Sequence, residues 1–454
     1  MSELETPAKR VVLRYEDRWE DLLGRLAADR AAGVVPSPVR DALAGFFDAG
    51  SAVEVGSLVR RATSSYRGGD APEEDAGDEV PADGLVAGWG LLDGALVFVV
   101  ADDVDQLGAG AGWRGAAAAA KAIRIRRHAL EQGRPLVQIL AAARTDPATD
   151  PADGPGAAFV RAGAGADLDV DRELATHCLV ISVVTAPLLD AAAFEATAAH
   201  LVVLAGPEAA IAGRAGADAL RCGLADAVVA DLPAALRWVA QAIGHLPPNP
   251  FDPAPPWPSA EPDEDGRSAG DGAAVDGTVP PLLDVAWQLE LSPVGAVPVR
   301  TWLGGVGTQP VGLVSCGAGA VLDAAACRRI VRLVRCCTAW RLPLVVEHAG
   351  LRRPRQATRE DVDAHHGLGA ALARLAVPLF ELAWDGPRLV EEFGVRPLWS
   401  AGATATDPAT DAVLSRSTAR QHLEVVVAAV PILRPRPDTT DRVRYRPRRT
   451  LQSS

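Results

Sequence analysis

The sequence predicts an α/β protein made of two copies of one unit, each a largely parallel sheet with covering helices. Three observations predict it. Short apolar runs of the kind that fill buried strands alternate with stretches of helical periodicity. A segment rich in Pro, Gly and acid, 247–281, divides the chain almost in half. The order of elements before that segment recurs after it, about 210 residues on, as expected of an internal repeat.

In the first half, Trp19, Leu22, Leu23, Leu26 and Ala27 sit at helical spacing, predicting a helix over 19–30. A second helix is predicted from Pro38 to Phe47, running out at Asp48-Ala49-Gly50. Residues 67–84 are acidic and rich in Pro and Gly, and read as a solvated loop. Leu85–Leu92 and Ala95–Ala101 flank Asp93-Gly94, the signature of a hairpin. A Gly-rich loop at Gly108, Gly110 and Gly112 leads into a predicted helix, Gly115–Gln132, ended by Gly133. A strand over Pro135–Leu140, a strand over Leu179–Thr185, a helix over Ala186–Ala198 and a strand over His200–Leu204 complete the alternation. In the second half, Val299–Gly305, Val311–Ser315, the piece Cys316-Gly317-Ala318-Gly319, a helix over Asp323–Trp340, Leu342–Val346 and Val377–Leu382 repeat that order. The expected division is 1–246, a linker at 247–281, 282–432, and a basic tail at 433–454.

Composition narrows the function. The chain has 454 residues, 48% of them hydrophobic, enough for a core in each half. It carries 58 acidic and 45 basic residues, a net charge of −13, which argues against nucleic acid or an anionic membrane as partner. There is no run of 18 apolar residues, so no membrane-spanning helix is expected. The acidic opening Met1-Ser2-Glu3-Leu4-Glu5 has no apolar signal region, and a cytoplasmic location is expected. The six cysteines form no C-x-x-C and have no His pair at ligand spacing, so no metal site is expected. The vicinal pair Cys336-Cys337 reads either as helix packing or as a redox switch.

Taken in order, several of these residues resemble one family. Arg40-Asp41-Ala42-Leu43 through Asp48-Ala49-Gly50-Ser51 resembles its opening helix, and Val86–Gly90 with Asp93-Gly94 its first hairpin. Gly112, Gly115 and Lys121 resemble its Gly-rich loop and following helix, and Gly133-Arg134-Pro135-Leu136 its next strand. Leu322-Asp323 with the helix to Trp340, and Leu342–Val345, resemble the same segments of its second half. The chain is similar to the β-type carboxyltransferase subunits of biotin-dependent acyl-CoA carboxylases, which carry two crotonase-like domains in tandem. The likeness runs from about Trp19 to about Phe393.

That resemblance implies a fold and a chemistry. A thioester enolate is held by two backbone N–H groups, one of them at a helix N-terminus where the dipole adds to the field. Glycine pairs allow the close approach, one set for the acyl-CoA enolate and one for the biotin ureido oxygen. The resemblance also implies substrate contacts at Gly112, Lys121, Arg144 and Gly350. It implies no covalently bound cofactor, carboxybiotin being delivered on a partner protein. The partners implied are a carboxyltransferase paralogue and a biotin carboxylase or carrier subunit, in a homo- or hetero-oligomer.

The glycines are missing from three of the places where the resemblance needs them. Ala142 and Ala143 stand before Arg144, Leu189 and Asp190 at the helix start after Val184, and Leu389 and Val390 after Asp385. An anionic Asp190 there would repel an enolate. Glu347 and His348, at the end of a strand, read either as an acid/base pair or as a polar strand end. Arg124, Arg126, Arg127 and His128 read as a solvated helix face or a phosphate clamp. The tail from Arg434 to Arg449 holds seven arginines and reads as a solvated tail or a dock for an acidic partner. The expected function is therefore a carboxyltransferase-like subunit with degenerate oxyanion holes, serving an active paralogue. The alternative is an active divergent carboxyltransferase, or a repurposed crotonase-fold enzyme acting on a CoA thioester.

Overall fold

In the computed structural model of the chain, the described residues are 37–57, 84–103, 116–141, 170, 173–174, 177–244, 246–247, 282–284, 288–293, 298–307, 309–385, 393–403 and 410–429. The expected helix at 19–30, the acidic loop, most of the linker and the basic tail lie outside them.

In chain order the first half has α1 (Pro38–Phe46), β1 (Val53–Glu54), β2 (Leu85–Leu92), β3 (Ala95–Asp102), α2 (Ala116–Gln132), β4 (Leu136–Leu140), β5 (Val180–Val184), β6 (Pro187–Leu188), α3 (Asp190–Ala198), β7 (Leu201–Ala205), β8 (Ala210–Ile211), β9 (Arg214–Ala215), α4 (Gly216–Arg221), β10 (Ala227–Val229) and α5 (Leu232–Gly244). The second half has β11 (Gln288–Leu291), β12 (Val299–Val306), β13 (Gln309–Cys316), β14 (Ala320–Val321), α6 (Ala324–Trp340), β15 (Leu344–Ala349), β16 (Leu351–Arg352), α7 (Arg359–Ala373), β17 (Leu379–Asp385), β18 (Trp399–Gly402), β19 (Ala412–Val413) and α8 (Arg416–Ala428).

The strands make two seven-stranded sheets with one plan. The first runs β1-β2-β3-β4-β5-β7-β10 and the second β11-β12-β13-β15-β17-β18-β19. In each, the first three strands pair antiparallel and every later pairing is parallel. The turn between β2 and β3 has Asp93 at φ 49° and Gly94 at φ 75°, the positive pair that a two-residue hairpin requires. The long helices α2 and α6 have 17 residues each, and each is followed by a left-handed residue, Gly133 at φ 59° and Arg341 at φ 51°. Pro135 and Pro343 then give their carbonyls to the strand before, at Phe98 and Gly312. The repeat thus holds down to single hydrogen bonds.

One boundary differs from the sequence expectation. The helix over 186–198 begins only at Asp190, because Pro187 forces its predecessor out of helical geometry and Pro187-Leu188 pairs with Ala210-Ile211. Four helices, α4, α5, α7 and α8, were not among the expected elements.

One core joins the halves. Val99, Val137, Ile181 and Val203 of the first sheet and Leu236 and Val239 of α5 share a buried cluster with Ile330 and Leu333 of α6 and Val314 and Val346 of the second sheet. The opposite face of the first sheet packs under α2 and α3, through Ile125 and Ala196. The opposite face of the second packs under α8, through Leu423 and Val427. The two units therefore pack against each other, and the α6 face of the second is covered by the first. Within the second unit, Gly312 of β13 is the close approach of the sheet to α6: a Cβ there would fall inside contact with Cys337 Sγ.

Candidate functional site

Parallel α/β sheets present ligands at the carboxyl ends of their strands. In the second sheet those ends carry Ser315 and Cys316 of β13, Glu347 and His348 of β15, and Glu381 and Trp384 of β17. Side chains alternate along a strand, so these six divide between two faces.

Glu347 lies on the α8 face. Its register partner is Ser315, whose Oγ donates at 3.4 Å, and the Trp384 indole N–H donates at 2.9 Å. The Arg416 guanidinium stacks 5.4 Å from the Trp384 ring. Burial pushes the Glu347 carboxyl above its usual range, and the Trp384 hydrogen bond, Arg416, Ser315 and His348 pull it only part of the way back.

His348 lies on the other face, toward α6. Its Nε2 is 2.9 Å from Glu381 Oε1, and both side chains are fully buried. Cys316 is its register partner on β13. Glu347 and His348 therefore do not form the acid/base pair that their adjacency suggests, because neighbouring residues of a strand face opposite ways. Each is paired instead across the sheet. Sequence reasoning missed Glu381, although a carboxylate inside the apolar run Val377–Leu382 needs a buried partner and was a readable signal.

Leu189 ends up 60% exposed at the N-cap of α3, and makes no side-chain cap. Asp190 is the first residue of α3. Ala142, Ala143, Arg144, Gly112, Leu389 and Val390 lie outside the described residues. Just before them, the Ala141 N–H at the end of β4 donates to the buried Asp102 carboxylate at 3.2 Å. Lys121 is buried, and its Nζ donates to the Gly56 carbonyl at 3.3 Å. Gly350 follows β15 at φ 80°. Arg126 corrects the solvated-face reading. It is 1% exposed and donates to Gln138 Oε1 at 2.6 Å and to Glu195 of α3, while Arg124 and Arg127 are exposed.

Cys336 and Cys337 are fully buried, and burial pushes the Cys336 thiol up to about 12 and Cys337 higher than its usual range. Deep burial with raised thiols fits the packing reading of this pair. No disulfide forms among the six cysteines. Among the described residues no helix is long and apolar enough to cross a membrane, and no group of three or more His, Cys, Asp or Glu could hold a metal ion.

With this geometry in place the chain can be compared with known proteins. No family model matches it. The transcarboxylase 12S structure with methylmalonyl-coenzyme A and methylmalonic acid bound superposes with a TM-score of 0.71 at 16% identity, covering 94% of this chain and 98% of that one. The chain has the tandem crotonase fold of the carboxyltransferases. A single-chain, multi-domain long-chain acyl-CoA carboxylase matches with a TM-score of 0.63 at 20% identity, over 90% of this chain and 47% of that one. Among curated proteins, the methylmalonyl-CoA decarboxylase subunit alpha of Veillonella parvula is 34% identical over 122 residues. That match spans 26% of this chain and 22% of the relative. The carboxyltransferase fold thus extends across both sheets, while the sequence likeness to a curated relative is confined to about a quarter of the chain.

Proposed function

We propose that the chain is a carboxyltransferase-like subunit of a biotin-dependent acyl-CoA carboxylase assembly, acting as a structural or regulatory partner of an active paralogue. One observation carries this reading. At the carboxyl edge of the first sheet, the Ala141 N–H is already taken by the Asp102 carboxylate, next to the Ala142-Ala143 pair that replaces glycine. A fixed carboxylate repels an enolate oxygen, and the donor it occupies is not available to one. The exposed Leu189 at the start of α3 adds bulk where close backbone approach is needed. These residues do not fit the enolate or the biotin ureido oxygen, so no carboxyl-transfer step is drawn through them.

A second reading, a repurposed crotonase-fold enzyme acting on a CoA thioester, is favoured by the buried His348–Glu381 pair at the other sheet's edge.

The test is reconstitution. The chain is purified alone and with carboxyltransferase paralogues, then supplied with a biotin carboxylase and biotinylated carrier, and acyl-CoA carboxylation is followed. Co-assembly with a paralogue and no turnover by the pure chain is expected. Turnover by the pure chain would overturn the partner reading, and so would failure to assemble with any carboxyltransferase or biotin subunit.

A further inference from the structure

We propose that the loop between β16 and α7 is a docking surface for a carboxylate-rich segment of a partner protein. Arg352, Arg353, Arg355 and Arg359 lie in a stretch, 352–359, that contains no acid, in a chain whose net charge is −13. All four are exposed. Arg352, Arg353 and Arg355 are at most about 11 Å apart along the chain, close to a Debye length, so their fields add. The loop is pinned at both ends. Before it, β16 pairs with β14 and the Arg352 carbonyl accepts the Leu322 N–H at 2.9 Å. After it, Thr358 caps α7 in a capping box with Asp361. A loop held in this way loses less freedom when a partner binds.

The nearest acids are already committed. Glu360 pairs with Arg328 at 2.6 Å, and Asp361 caps two helices through Thr358 and Ala324. Asp363 is 3.8 Å from Arg359 Nε, a loose surface contact between side chains 71% and 95% exposed. The side chains of Arg352 and Arg355 make no ion pair among the described residues. The shape and extent of the patch choose the ligand. A small nucleotide needs a concavity that encloses most of its surface, whereas these side chains are exposed. A nucleic acid needs a basic surface of roughly 600 Å² or more, and exposed acids border the loop at Asp323, Glu360 and Asp363. A short acidic segment fits a patch of this size. Its carboxylates accept forked hydrogen bonds from guanidinium groups, and the chain's net negative charge repels it elsewhere. The inference goes beyond the proposed function, because docking needs no carboxyl transfer.

The full chain is titrated against a fluorescent peptide of Glu-Ser repeats, its neutral Gln-Ser counterpart, coenzyme A and a single-stranded oligonucleotide. The acidic peptide is expected to bind and the neutral one not. Binding should weaken from about 0.1 M to about 1 M salt, as the Debye length shrinks from about 10 Å to about 3 Å. The charge-reversed variant Arg352→Glu/Arg355→Glu should bind the acidic peptide roughly tenfold or more weakly. Arg237→Glu, an exposed change on α5, should bind as the wild type does. Melting points show whether the variants are folded; if the double variant melts lower, Arg355→Glu alone takes its place. No binding of the acidic peptide, or equal loss in Arg237→Glu, would overturn the proposal. So would tighter binding of coenzyme A or the oligonucleotide that the charge reversal abolishes, which would make the loop a phosphate site. The titration uses the chain alone, so its failure would leave the partner reading to reconstitution with a paralogue.

Discussion

Arg332 of the second unit grips Asp226 of the first. Its Nε donates to Oδ1 at 2.9 Å and its Nη2 to Oδ2, and the side chains are 8% and 2% exposed. Asp226 also accepts the Val202 N–H, and Arg332 also donates to the His200 carbonyl. Such a fork-to-fork pair fixes orientation as well as distance. Removing one partner leaves a buried charge uncompensated, so Asp226→Ala should destabilise by about 3–5 kcal/mol. The double variant Asp226→Leu/Arg332→Met should recover most of that loss. Urea-unfolding midpoints of the single and double variants check this; equal midpoints for wild type and Asp226→Ala would refute it.

Within the second unit, the packing of α6 on its sheet depends on Gly312. An added methyl would press into Cys337 Sγ, with Leu333 Cδ1 at 3.2 Å behind it. Backbone strands and a packed helix give way little, so Gly312→Ala should cost about 1–3 kcal/mol. Cys337→Ala in the same chain should return part of it, which a thermal-unfolding comparison of the three variants would show.

The fold was legible wherever local chemistry admits one solution. Asp93-Gly94 specifies its turn, Gly133 ends α2, and the apolar runs of β4, β5 and β15 cannot be solvated. The helix over 359–373 was not legible because it buries only Leu368 and Leu372, too faint a stripe to stand out, and its start is a polar capping box. The stripe of α5 (Ala235, Leu236, Val239, Ala242, Ile243) was readable but went unassigned. The site was legible only by position. Glu347 and His348 mark the right strand end, but partners drawn from strands 32 and 33 residues away in sequence cannot be read from adjacency. Strand alternation alone could have shown that the two face apart.

The capping box makes its own prediction. Asp361 Oδ2 accepts from the Thr358 N–H and hydroxyl, and Oδ1 accepts from the Ala324 N–H at the start of α6, at 2.8 Å. One carboxylate therefore caps two helices. The Thr358 backbone and side-chain bonds, then the Ala324 bond, hold it below its usual range. A lowered acid adds stability above its unfolded value of about 3.9, and loses it as pH falls through the folded value. Asp361→Ala should cost about 1 kcal/mol at neutral pH, as loss of a cap does. The gap from wild type should close on acidification, which unfolding midpoints from neutral to acid pH would trace.

Glu347 should show the opposite sign. Burial raises its folded value above the unfolded one, so the folded state binds the proton more tightly. Its contribution is fully present below the unfolded value of about 4.3, and is lost as pH rises through the folded value. Above that folded value the chain holds a buried carboxylate braced by Trp384, Ser315 and Arg416. Glu347→Gln keeps an oxygen for the Trp384 indole N–H and removes the charge. It should therefore melt higher than wild type at neutral pH, with the advantage shrinking toward acid. Thermal melts of both proteins across that range decide it. A constant difference would mean that Glu347 does not titrate with folding, and a lower melting point at neutral pH would mean that its charge is needed by Arg416 more than burial opposes it.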